Sequence, residues 1–158
     1  MGYYTRVFCS SKRKPKIIDL INNLKSVGFD IKSNLDEKDL ENPDWTDFEL
    51  IYDSERLPLL VELNEIGKSH GLAEEEVNEF LEFIGKPNFL QLNKKKVISQ
   101  LNKTYYIVCI QLPITDIIDK GYDVNGELMS YVANNFSGMI QADKEGFYCN
   151  NKLIVKLE

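Results

Sequence analysis

Residues 105–112, with the sequence YYIVCIQL, form a nearly continuous apolar run. Apolar residues at both odd and even positions are typical of a central β-strand that is buried on both faces of a sheet. Pro113 ends the run, because proline has no amide hydrogen to donate to a neighbouring strand. The sequence therefore predicts a sheet with this strand in its interior.

Residues 3–65 predict one helix and four further strands. Residues 3–9, YYTRVFC, are aromatic and β-branched, which favours a strand. Apolar residues then recur every three or four positions from 17 to 27, which predicts a helix, and 29–33 return to a strand pattern. Residues 46–53 and 57–65 alternate between apolar and polar and are joined by a short turn, which predicts an antiparallel hairpin.

The remaining elements follow from the same spacing rules. Helices are predicted at 72–85, at about 89–102 and near 125–136. The end of the chain reads GMIQA-DKEG-FYC-NN-KLIVKLE, with short strands between turn signals. Asn150 and Asn151 suit a type I′ turn, because asparagine tolerates the positive φ angles that this turn requires.

This order of elements predicts one α+β domain over residues 1–158, with a mainly antiparallel sheet and helices chiefly on one face. Residues 1–66 and 103–158 both open with a Tyr-Tyr strand, followed by a helix and antiparallel strands, and 72–102 supply two joining helices. A duplicated strand–helix–strand–strand unit is one interpretation. The other is that unrelated α+β domains share such patterns, and the sequence leaves both open.

The cysteines and the lack of apolar spans indicate a cytoplasmic protein without a membrane partner. Cys9, Cys109 and Cys149 are odd in number and include no C-x-x-C pair, so we expect free, reduced thiols, with Cys149 the most exposed. The first residues lack the apolar core of a signal peptide. No stretch approaches the roughly 20 apolar residues of a membrane helix.

The chemistry-bearing residues favour a binding protein over an enzyme. His70 is the only histidine, so one chain has no pair of histidines for zinc and no histidine near a recognisable nucleophile. Neither glycine-rich nucleotide fingerprint is present. We therefore expect no metal, no cofactor and no catalytic residue. The basic clusters 12–16 and 94–96 are interpreted as solvated surface, with nucleic acid an unlikely partner at a sequence pI of about 4.9.

The charge distribution points to a basic protein partner. Residues 33–82 carry sixteen acidic and three basic side chains, a net charge of −13 in a chain of net charge −6. Such a block attracts basic surfaces, and tryptophan is a frequent interface anchor. The predicted interaction surface, of an immunity- or antitoxin-like kind, consists of Asp36, Glu37, Asp39, Glu41, Asp44 and Trp45. The alternative for the tryptophan is a place in the core.

Two further functions are left open. A small-molecule sensor would have a pocket between the two halves, lined by Tyr52, Glu62, Tyr106 and Gln111. A carboxylate-dependent hydrolase would use Glu49 and Glu62, which lie on neighbouring predicted strands and would have to share one cleft.

Three stretches carry a family resemblance: WTDFELIY with LLVELNE, AEEEVNEFLEFI, and SGMIQADKEGFYCNN. Together they resemble an uncharacterised group of bacterial α/β proteins of similar length that end in a Gly-x-x-Gln-Ala-Asp-x-x-Gly-Phe pattern. The resemblance implies a bacterial α/β domain and transfers no catalytic residue. The order of elements is also similar, in topology alone, to tandem strand–helix–strand–strand domains that hold small-molecule effectors between their halves.

Overall fold

A computed structural model describes residues 2–157, which form five helices and eight strands. In chain order these are β1 (Tyr3–Cys9), α1 (Ile17–Ser26), β2 (Lys32–Ser33), α2 (Glu37–Leu40), β3 (Asp47–Ile51), β4 (Leu59–Glu65), α3 (Leu72–Ile84), α4 (Leu92–Asn102), β5 (Tyr106–Leu112), α5 (Asp119–Asn135), β6 (Gly138–Ala142), β7 (Gly146–Cys149) and β8 (Lys152–Lys156). The strands form one antiparallel sheet in the order β2-β3-β4-β5-β1-β6-β7-β8. The predicted α+β class with an antiparallel sheet is confirmed.

Strand β5 lies in the interior of the sheet, as its apolar run predicts. It pairs with β4 on one side and with β1 on the other. Six of its seven residues are buried, and Gln111 is the half-buried one. The register places Tyr3 opposite Leu112 and Cys9 opposite Tyr106, so the two Tyr-Tyr strands lie side by side over their whole length.

Helices cover both faces of the sheet. Helices α1 and α5 pack on the first face against Val7 and Val108, and Leu40 of the short α2 joins the same core. Helices α3 and α4 pack on the second face against Phe8 and Ile107. The helices are thus shared between the two faces, whereas the sequence predicted them chiefly on one face. The physical reason is that consecutive apolar residues in β1 and β5 point to opposite faces, and both faces must be shielded from water.

The two halves of the chain cross the sheet in different orders. After α1 the chain enters β2 at the outer edge and works inward to β4, which pairs with β5. After α5 it enters β6 beside β1 and works outward to β8. A repeated unit would place the strand after the helix at equivalent positions in both halves, so this topology gives no support to a duplication.

Helix α5 begins at Asp119, six residues earlier than the predicted start at 125. Its first turn contains Gly121, where an added Cβ would lie 2.8 Å from Cζ of Tyr52 and 2.6 Å from Cγ1 of Ile117. The glycine thus belongs to the helix and makes room for the Tyr52 ring. In the predicted acidic loop, residues 37–40 also form the single turn of α2.

The predicted turn chemistry at the end of the chain is confirmed. Asn150 and Asn151 have φ angles of 50° and 63° and connect β7 to β8. All three cysteines are free, with Cys149 half-buried and the others buried. Cys9 belongs to the first-face core. Cys109 lies opposite Arg6 in the register and points to the second face, so the sheet separates the two thiols.

Candidate functional site

A cleft of about 470 Å³ opens between α5 and the strands β1, β6 and β7. Its volume lies within the range of small-molecule sites. The apolar part of its lining consists of Leu112, Ile114, Met129, Ile140 and Ala142. The rest of the lining consists of Gly126, three tyrosines, four polar side chains and one carboxylate, namely Tyr3, Tyr122, Tyr148, Thr5, Asn125, Ser130, Asn151 and Glu145.

The cleft exists because α5 does not extend over β7. The helix contacts β1 and β6, and the first-face core contains no residue of β7 or β8. On α5 itself, Gly126 faces this space, and a Cβ added there would meet nothing within 4 Å. The absence of a side chain at this helical position widens the cleft at the cost of helix propensity.

Glu145 is fixed by two tyrosines at the rim of the cleft. The hydroxyl of Tyr3 donates to Oε2 of Glu145, and the hydroxyl of Tyr148 donates to Oε1. A carboxylate has about four acceptor positions, so each oxygen keeps capacity for a further donor. The pair of hydroxyls therefore orients the carboxylate and leaves room for a donor from a bound molecule.

The charge of the cleft is that of Glu145. No lysine, arginine or histidine is among the residues that line it, and Glu145 forms no ion pair within residues 2–157. Burial, together with the hydrogen bond to Glu145, raises the pKa of Tyr3 above its usual range. The hydrogen bond to Glu145 likewise raises the pKa of Tyr148. Both phenols therefore remain protonated donors at neutral pH, and the site favours a cation over an anion.

Deeper in the cleft, the buried Asn125 supplies a polar side chain from α5. Its Oδ1 accepts a hydrogen bond of 3.2 Å from the hydroxyl of Thr5 on β1. Only 4% of Asn125 and 2% of Thr5 are exposed, which makes this an interior polar pair in an otherwise apolar wall. Such a pair fixes an amide at a defined position against a bound molecule.

A second groove continues along α5 towards the β7–β8 turn. It has a volume of about 480 Å³ and shares Ser130, Ile140, Tyr148 and Asn151 with the cleft. The two spaces are neighbours along one helix, so a molecule longer than a single ring system has room to extend towards Asn150.

On the opposite face, Arg6 is the centre of a charged network. Its guanidinium donates to Glu76 at 3.0 Å, to Asp143 at 2.8 Å and to Gln141 at 2.8 Å. The arginine side chain is 13% exposed, and Oε2 of Glu76 is buried without a hydrogen-bond partner among the described residues. Burial acts to lower the pKa of Arg6, but Glu76 and Asp143 outweigh it and raise that pKa. The network joins α3 to β1 and to the turn after β6.

The acidic residues of the predicted interaction surface are exposed, but the tryptophan among them is not. Trp45 is 5% exposed, its Nε1 donates to the carbonyl of Pro15 at 2.7 Å, and its ring packs edge-on against Phe48. It therefore occupies a core position, and the expectation that it anchors a partner is replaced by this core role. The five carboxylates remain on the surface, at Asp36, Glu37, Asp39, Glu41 and Asp44.

The four residues predicted to line a pocket do not come together. Tyr52 and Tyr106 are buried in the first-face core. Glu62 and Gln111 alternate with first-face residues of their strands and so point to the second face. The prediction of one shared pocket is wrong, because it took residues from both sides of the sheet. The cleft that does form lies beside α5 and includes none of the four.

The proposed carboxylate pair, Glu49 and Glu62, lies on the second face of the sheet as diagonal neighbours on β3 and β4. The register of β3 and β4 sets Glu62 opposite Asp47 and Glu49 opposite Leu60. A cavity beside Glu49 is lined by Leu60 and Gln111 but not by Glu62. Glu62 is thus not part of the cavity beside Glu49, and the hydrolase interpretation stays a prediction.

Comparison with protein-family models, curated proteins and solved structures finds no match for this chain. The resemblance to a bacterial group therefore stays a prediction. Within residues 2–157, no helix has the length and apolarity to cross a membrane, and no cluster of three metal-ligating side chains occurs.

The residues of the cleft left only weak signals in the sequence. Tyr3 and Glu145 are 142 positions apart, and no local pattern links them. Asn125 gave a clearer signal, because it is a polar residue at a buried position of the helical stripe that includes Val124 and Leu128. Gly126, within the same helix, lines the cleft and leaves open the space that a side chain would occupy.

Proposed function

We propose that the protein binds a small organic molecule with an apolar body and a cationic group in the cleft beside α5. The observation that carries the proposal is the composition of the lining, an apolar wall and three tyrosines with Glu145 as the one charged side chain. Apolar walls with a few placed polar groups are typical of small-molecule sites.

The cationic group follows from the electrostatics of the rim. An ammonium supplies donors to the unused acceptor positions of Glu145, and the faces of tyrosine rings attract cations. An anionic ligand would meet Glu145 with no compensating positive side chain in the lining. Asn125 and Thr5 are placed to fix a polar group at the inner end.

A chemical-shift titration of the uniformly labelled protein tests this function. Small amines with an aromatic ring are expected to shift the amide signals of Thr5, Asn125 and Glu145 in a saturable way. In Gly126→Leu, the Cβ enters open space at the cleft, so the fold is expected to be retained while the longer side chain fills the cleft and the shifts are lost. Shifts that persist in this variant, or that map to other surfaces, would contradict the proposal.

A second function is the recognition of a basic protein, which is supported by the exposed carboxylates of α2 and its flanking loops. Asp36, Glu37, Asp39 and Glu41 are exposed on a short segment, and burial of Trp45 removes the apolar anchor. Attraction to a basic partner would therefore be mainly electrostatic. It is tested by charge reversal, because Asp39→Lys/Glu41→Lys should abolish capture of a basic partner that elutes at about 0.5 M salt. Unchanged capture would exclude this surface.

A further inference from the structure

The end of α3, the start of α4 and the connection between them carry the most exposed apolar side chains of the described chain. Phe83, Phe89, Leu90 and Leu92 are 60%, 77%, 74% and 69% exposed. Four large side chains at such exposure present on the order of 500 Å², which is the size of the largest patch on a typical monomer. Patches of this size mark interaction sites more often than isolated surface leucines do.

The backbone of this connection is held by its own hydrogen bonds. Oδ1 of Asn88 accepts from the amide of Leu90 at 2.9 Å, and the Asn88 amide donates to Oε1 of Gln91 at 3.0 Å. The Leu92 amide donates to the Leu90 carbonyl at 3.0 Å. The apolar side chains are thus presented outward by an ordered turn, which lowers the entropic cost of binding.

Opposite charges flank the apolar patch. On α3, Glu75, Glu79 and Glu82 are exposed and lie four and three residues apart, along one side of the helix. On α4, Lys95 and Lys96 are exposed and Lys94 is half-buried. The helix has no acidic residue. None of these six side chains forms an ion pair within residues 2–157.

We propose that this surface is the interface of a homodimer, in which the glutamates of α3 face the lysines 94–96 of a second copy. Helices α3 and α4 pack side by side, so a two-fold axis between two copies brings each α3 against the other copy's α4. Such a contact is isologous, and every attraction occurs twice. The apolar residues 83, 89, 90 and 92 then meet across the axis and are removed from water.

A second copy fits the charge pattern better than an anionic membrane or a uniformly charged protein. Either of these would be attracted to one flank and repelled by the other, because Glu79 lies one turn before Phe83 on α3, while Lys96 lies one turn after Leu92 on α4. Only a surface that carries both signs in the complementary arrangement matches both flanks. This chain presents that arrangement itself.

Sedimentation velocity on the full chain tests the proposal. At about 100 µM protein and low salt, the wild type is expected to sediment as a dimer. Two charge variants are each expected to raise the Kd of the dimer at least tenfold. They are the all-basic Glu75→Lys/Glu79→Lys/Glu82→Lys and the all-acidic Lys94→Glu/Lys95→Glu/Lys96→Glu. An equal mixture of the two should restore a dimer, because each then meets its complement.

Apolar substitutions supply the matched control. Phe89→Ser/Leu90→Ser is expected to be monomeric, whereas Leu57→Ser, at a residue 55% exposed in the turn between β3 and β4, should leave the dimer unchanged. Circular dichroism establishes that each variant is folded. A monomeric wild type at 100 µM would overturn the proposal, as would charge variants that dimerise alone or that stay monomeric when mixed.

Discussion

Asp143 and Glu145, two residues apart in the turn between β6 and β7, contact opposite faces of the sheet. Asp143 accepts a hydrogen bond from Arg6 at 2.8 Å on the second face, and Glu145 accepts one from Tyr3 on the first. Tyr3 and Arg6 both belong to β1, so the turn holds this strand from both sides. The carboxylate at the rim of the cleft is therefore positioned by a charged network that lies behind the sheet.

Replacement of Arg6 by leucine is expected to destabilise the protein strongly. It leaves Glu76, already with one unsatisfied oxygen, and Asp143 without their cation. Loss of one partner of a largely buried charged network costs about 2–4 kcal/mol. The comparison variant is Arg56→Leu. Arg56 is 41% exposed, and its ion pair with Asp116 is longer, at 3.5 Å. Urea unfolding should give a loss below about 1 kcal/mol there, and equal losses in both variants would contradict the account.

Two glycines of α5 are expected to respond in opposite directions to alanine. At Gly126 the methyl group enters open space, so Gly126→Ala should stabilise the helix by up to about 1 kcal/mol. At Gly121 the methyl group would overlap the Tyr52 ring and Ile117, so Gly121→Ala should destabilise the protein by about 1–3 kcal/mol. Thermal unfolding of both variants measures the difference. Stabilisation by both substitutions would show that Tyr52 does not pack against α5.

The stability of the protein is expected to fall at alkaline pH. Burial raises the pKa of the Cys9 and Cys109 thiols to about 12, whereas in the unfolded chain they titrate near 8.5. Above that pH the unfolded state binds fewer protons than the native state, so unfolding becomes easier, by about 1.4 kcal/mol per pH unit for each thiol. Below about pH 8 the stabilisation is fully present and no dependence from these groups is expected.

Urea unfolding at pH 8 and pH 10 measures this loss, which should be on the order of 4 kcal/mol for the two thiols together. In Cys9→Ala/Cys109→Ala the loss between the two pH values should be smaller, and an equal loss would assign it to other groups. Thiol labelling of the folded wild type at pH 8 should modify the half-buried Cys149 first. Faster labelling of Cys9 or Cys109 would contradict their burial.

Local patterns predicted the sheet but not the cleft. Strand β1 has the predicted bounds, and the Asn150–Asn151 turn has the predicted φ angles, because alternation and turn preference act between near neighbours. The predicted start of α5 was six residues too late, and the missed first turn contains Gly121, which packs closely against Tyr52, 69 positions away in the sequence. The sequence left Trp45 open between the surface and the core; the structure buries it, with the Pro15 carbonyl accepting a hydrogen bond from its Nε1.

Faces of the sheet were the least predictable feature. Alternation shows which residues of one strand share a face, but the register between strands decides which face that is in space. Glu62 and Tyr106 were for this reason assigned to one pocket although they lie on opposite sides of the sheet. The contact between Tyr3 and Glu145 depends on the pairing of β1 with β6, which no local signal contains.

The most direct test of the cleft as a binding site is a charge series measured by titration calorimetry on the wild type and Glu145→Gln. Phenethylamine, 2-phenylethanol and phenylacetate share a ring and differ in charge. The wild type is expected to bind the amine most tightly, with a Kd of about 1 mM, and the acid least. Glu145→Gln should weaken amine binding about fivefold and change alcohol binding by less than about twofold, because one rim charge contributes about 1 kcal/mol. Equal binding of amine and acid, or unchanged amine binding in Glu145→Gln, would contradict the account.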